Sequence, residues 1–136
     1  MRNKITLKQI NAFFKPEFDS EQMSQLKKAF NEGLKMEEIE FLANPKFNSR
    51  QMEQLKFAFE CGFSKKQIDI ISKPELNSKQ MEQLRFAFEC GLPVNQVKLF
   101  AKPEVTWQQM LNRTLMFQFD LWNNYCESLK KKTLLI

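Results

Sequence analysis

The residues of this chain whose types could do chemistry are three cysteines, a few clustered carboxylates and a recurring set of cations. Cys61, Cys90 and Cys126 form no CxxC pair, and the chain contains no histidine. Imidazole acid–base catalysis and His-containing zinc sites are therefore excluded. Cys61 and Cys90 each stand directly before a glycine, and Glu32 stands before the remaining one. That position tolerates a carboxylate, so it reads as packing or surface rather than as a reactive thiol pair. Glu37 and Glu38 are neighbours in sequence and point different ways on a helix. No glycine-rich phosphate loop, nucleophile elbow or metal-ligand spacing is present. No catalytic residue, cofactor or metal is expected, and the chain does not read as an enzyme.

The cations suggest binding instead. Lys27, Lys56 and Arg85 are spaced 29 residues apart, and Arg113 lies one residue from the fourth such position. On stacked helices they would form a basic stripe for phosphates or acidic side chains. An ordinary solvated face accounts for them equally, with Glu53 and Glu82 placed to pair with Lys56 and Arg85. A second basic candidate is Lys65, Lys66 and Gln67. They follow Ala58 and Gly62 and precede Ile71, a spacing like that of a DNA-binding helix-turn-helix, whose second helix they would arm for the major groove. Any tight helical hairpin wants the same small residue, glycine and aliphatic contacts, and the first copy carries Glu37, Glu38 and Glu40 there, which would repel phosphate.

The elements that would position these residues are set by a 29-residue period. It joins Met23, Met52, Met81 and Met110, then Pro16, Pro45, Pro74 and Pro103, then Gly33, Gly62 and Gly91. All the glycines and all the prolines except Pro93 fall in this frame. Gly and Pro are strong local punctuation, so the period is structural. Asp19, Asn48, Asn77 and Thr106 are N-cap types, each followed three residues later by Gln22, Gln51, Gln80 or Gln109, the spacing of a capping box. A first helix of about thirteen residues then carries Met52, Leu55, Ala58 and Phe59 on one face and ends at Gly62 as its left-handed cap. A second, shorter helix starts near Ser64, buries Ile68 and Ile71, and stops before Pro74.

The predicted fold is all-α, with tandem helix-turn-helix hairpin repeats forming a short α-solenoid closed by a long C-terminal helix. Residues 1–14 read as a half-repeat of the second-helix type, because Thr6, Gln9 and Ile10 match Ser64, Gln67 and Ile68. Repeats occupy 15–43, 44–72 and 73–101, and 102–136 is an atypical capping unit. In that unit Asp120 replaces the glycine, so the helix has no stop and runs from about Thr106 to about Lys131. It is apolar over more than one face. Trp107, Phe119, Trp122, Tyr125 and Leu129 are its candidate protein-interface residues, being mostly of the aromatic types enriched at interface centres. A face that meets a second copy (a homodimer) or a partner protein, and an intramolecular cap, are the two readings.

The repeat phrase, carried by Pro45, Phe47, Asn48, Gln51, Met52, Gln54, Leu55 and Gly62 and their counterparts over about residues 15–110, resembles short helical repeats in uncharacterised proteins of gut Firmicutes and their mobile elements. The resemblance implies a bacterial or phage setting and no activity. The chain carries 21 Lys and Arg against 16 Asp and Glu, a net +5, which permits an acidic protein or nucleic acid as partner without requiring either. No run approaches the ~20 apolar residues of a membrane span, and the sparse cysteines suit a reducing cytoplasm. The expected function is a non-catalytic protein–protein interaction module. The alternatives are a DNA- or RNA-binding regulator and an inhibitor of a host or phage defence protein.

Overall fold

The computed structural model describes residues 6–7 and 15–134. The half-repeat expected over residues 1–14 lies almost wholly outside the described residues. Seven α-helices and no strands occur among the described residues: α1 Ser20–Asn31, α2 Met36–Leu42, α3 Ser49–Glu60, α4 Lys65–Ile71, α5 Ser78–Glu89, α6 Val94–Val97 and α7 Trp107–Leu134.

Each of the first three long helices starts where its cap dictates. The Asp19, Asn48 and Asn77 side chains accept the backbone N–H of Gln22, Gln51 and Gln80, while each glutamine Oε1 accepts the cap residue's own N–H at 2.8–2.9 Å. Ser64 and Gln67 make the same reciprocal pair at the start of α4. At the start of α2, Lys35 has no side-chain acceptor to offer, so only half the box forms, with Glu38 accepting the Lys35 N–H.

Each of the first three long helices ends by a glycine turn. Phe63 N–H reaches Ala58 O at 3.1 Å and Gly62 N–H reaches Phe59 O at 3.0 Å, the paired bonds of a Schellman motif. Gly62 has φ +75°, and a Cβ added there would meet nothing within 4 Å. The backbone angle, not crowding, demands the glycine.

Helix α1 packs on α3, α3 on α5 and α5 on α7, while α2, α4 and α6 each pack on the long helix before them. The core follows this order. Leu26, Leu55 and Leu84 on the long helices and Ile39, Ile68 and Val97 on the short ones are all buried in one continuous cluster. The third short helix departs from expectation, because Pro93 offers no side-chain cap and α6 spans only four residues.

Candidate interaction surface

The capping glutamines have a second role that their spacing does not reveal. Gln22, Gln51 and Gln80 are all buried, and each turns its Nε2 toward the next unit. Gln22 donates to Phe47 O at 2.7 Å, Gln51 to Pro74 O at 2.9 Å and Leu76 O at 2.5 Å, and Gln80 to Pro103 O at 2.9 Å and Val105 O at 2.8 Å. One amide thus caps a helix with its oxygen and ties the following loop with its nitrogen. Both jobs are done in a dry joint, where an unmade bond is costly.

The cation position also belongs to this joint. Lys56 is only 4% exposed and pairs with Glu32 at 2.7 Å and Glu60 at 3.7 Å. Arg85 donates to Gln54 Oε1 at 3.2 Å, pairs with Glu89 at 2.7 Å and lies over the Phe57 ring. The expected partners Glu53 and Glu82 are not the ones used. The residues one turn further along the same helix, together with the preceding unit, are closer. Lys27 is exposed, and Arg113 stands in the frame of Leu26, Leu55 and Leu84 rather than of the cations. The four therefore do not make one solvent-facing row. The true fourth counterpart is Thr114, which is fully buried and bonds its own helix at Met110 O. It does not repeat the contact that Arg85 makes with Gln54, and Gln83 Oε1 is left buried with no partner among the described residues.

The two carboxylates beside Lys56 titrate apart. Hydrogen bonds from Glu60 and Lys56 hold the Glu32 carboxyl below its ordinary value. Burial, then the bond to Glu32, pushes Glu60 up. Burial also raises the half-buried Cys90 thiol, which disfavours its nucleophilic form, while Cys61 is exposed. Lys65 and Lys66 are exposed, and Gln67 is half-buried with its Oε1 used in the cap. Lys66, Lys73 and Lys98 line a groove between α4 and α6 that also holds Asp69.

Helix α7 is divided in two along its length. Its first half is a cap. Thr106 and Gln109 make the reciprocal start, Met110 and Thr114 are fully buried, and Lys79 Nζ sits 4.8 Å from the Trp107 ring centroid. Trp107 is thus engaged within the chain and stands apart from the other candidate interface residues. With Asp120 in place of glycine nothing turns the chain, and the helix runs on to Leu134. From Gln118 to Lys132 every residue except the half-buried Cys126 is exposed.

The apolar residues of this second half are ordered. Leu115, Phe119, Trp122, Cys126 and Leu129 are spaced four, three, four and three apart, the heptad rhythm of one helix seam. Tyr125 flanks it, its ring 6.0 Å from that of Trp122. Phe119, Trp122 and Tyr125 are 56–62% exposed. Glu127 and Lys130 pair with each other away from the seam. The apolar residues of α7 thus include an inner face against α5, this outer stripe, and Met116 and Leu121, which are exposed apart from both.

No group of three or more metal-ligating side chains occurs among the described residues, and no described helix is long and apolar enough to cross a membrane. In comparison with known proteins, no family model matches the chain, and neither the curated proteins nor the solved structures hold a significant match.

Proposed function

We propose that the chain is a short α-solenoid of 29-residue hairpins that serves as a protein–protein interaction module, in the bacterial or mobile-element setting that its repeat phrase implies. The reading is supported above all by the heptad-spaced stripe of Leu115, Phe119, Trp122, Cys126 and Leu129 on the projecting half of α7. Large exposed apolar side chains at that spacing suit the seam of another helix, where knobs of one fill holes of the other. The uniform joints of the hairpins would supply a rigid base that holds this helix out. A tagged chain, mixed with bacterial lysate, should enrich a defined partner that W122A/Y125A fails to capture while melting at the same temperature. No enriched protein, or equal capture by the variant, defeats the reading.

Nucleic acid binding is the second reading. It is favoured by the convergence of Lys66, Lys73 and Lys98 on one groove. A gel shift on duplex DNA and on RNA separates the two, because phosphate contacts weaken steeply as salt rises. Absence of any shift at low salt removes this alternative.

A further inference from the structure

The two ends of the molecule present opposite halves of the joint that is made internally three times. At the α7 end, Gln109 makes the cap but its Nε2 meets no acceptor among the described residues, and the side chain is exposed where Gln22, Gln51 and Gln80 are buried. At the α1 end, Pro16 and Phe18 occupy the positions of Pro45 and Phe47, the loop whose carbonyls receive the Gln22 amide. Among the described residues nothing covers the leading face of α1. Met23 is half-buried while Met52, Met81 and Met110 are fully buried; Ser20 and Ser24 are exposed while Ser49 and Glu53 are half-buried.

A groove lies beside Gln109 where a short helix is missing. α7 runs straight past Asp120 and no short helix follows it among the described residues, so Leu99 and Phe100 face Arg113, Met116 and Phe117 across an open cleft. Two periods earlier the equivalent surface, Phe41 against Phe59 at 5.7 Å, is flanked by Phe63, Lys65 and Ile68 of the following turn and short helix. Leu99 is 68% and Met116 59% exposed for want of that cover.

We propose that the α7 end of one copy takes the α1 end of a second copy, head to tail, so that the second copy's Pro16 and Phe18 carbonyls receive the Gln109 amide. The internal contacts of Glu21 with Ser49 at 3.2 Å and Gln25 with Glu53 at 3.4 Å then recur as Gln108 against the second copy's Ser20 and Asn112 against its Ser24. The interface is heterologous, so each copy keeps one free end and assembly continues past the dimer. The inference rests on the solenoid reading. Gln108 and Asn112 continue the four-three spacing of Leu115 and Phe119, so the joint lies on the same side of α7 as the start of the exposed stripe; Trp122 and Tyr125 stand beyond the positions that repeat the internal joint, and a change there tests the proposed function separately.

Sedimentation of the full-length chain tests it, using two variants altered only at exposed positions, Q108R/N112R to block the α7 end and S20R/S24R to block the α1 end. Wild type should show species larger than a dimer that grow with concentration. Each variant alone should stay monomeric, and an equimolar mixture, with one variant isotopically labelled for mass spectrometry, should give the heterodimer and nothing larger. W122A/Y125A should assemble as wild type does. A wild-type chain that is monomeric up to about 1 mM overturns the proposal. So does a mixture with no heterodimer, or a single variant that assembles as the wild type does.

Discussion

Replacing the same residue by alanine at two repeat positions separates local capping from tertiary bonding. In Gln51→Ala three hydrogen bonds vanish: the Asn48 N–H loses its acceptor, and the Pro74 and Leu76 carbonyls lose their donor. The site is buried, with Gln51 only 3% exposed, so water does not readily replace them. At ~0.5–1.5 kcal/mol net for each bond, and more for a carbonyl left dry, the loss is ~3 kcal/mol. The better helix propensity of alanine returns a few tenths of a kcal/mol. In Gln109→Ala only the exposed bond to the Thr106 N–H is lost from the monomer, at ~0.5–1 kcal/mol. Urea unfolding of both variants, at concentrations where the chain is monomeric, should show the midpoint falling several times further for Gln51→Ala with little change in slope. Gln51→Glu keeps the acceptor and aims a carboxylate at two carbonyls, so it should be at least as damaging as alanine near neutral pH. Equal costs at positions 51 and 109 would mean that the amide nitrogen contributes nothing to the joint, and the account of inter-hairpin bonding would be wrong.

Gly62→Ala should cost ~1–2 kcal/mol from the left-handed φ alone, since the added methyl meets no neighbour; thermal melting checks this, and a neutral result would show that the turn relaxes freely. The carboxylates beside Lys56 predict a stability profile with two arms. Glu32, held low, contributes stability above its ordinary pKa of 4.5 that is lost as pH falls through its lowered folded value. Glu60, pushed up, contributes stability below 4.5 that is lost as pH rises through its raised folded value. Glu60→Gln, which keeps a donor for Glu32, should therefore flatten the fall of melting temperature above pH 4.5, and an unchanged profile would refute the assignment.

Much of the fold was legible because its signals are local. A cap residue and a glutamine three positions on meet within one turn, and a glycine at φ +75° ends a helix wherever it stands. The period of 29 marked the hairpins, and Asp120 in place of glycine marked the uninterrupted last helix. The site was less legible. The cations at Lys56 and Arg85 looked like a surface stripe because spacing says nothing of depth; the preceding hairpin folds over them and supplies Glu32 and Gln54 from 24 and 31 residues away. The heptad rhythm of Leu115, Phe119, Trp122, Cys126 and Leu129 was present in the sequence, but only the position of α5 shows which apolar residues of α7 are already used.

By itself the sequence determined where the four long helices start and where the first three of them stop, since those choices are settled by bonds among residues three to five apart. The tertiary structure decided what each capping glutamine does with its second atom, which cations are buried, and which face of α7 packs against α5. Those outcomes depend on what a hairpin one period away covers, and covering, not residue type, determines whether a polar group is a joint or a surface and whether an apolar one is core or contact.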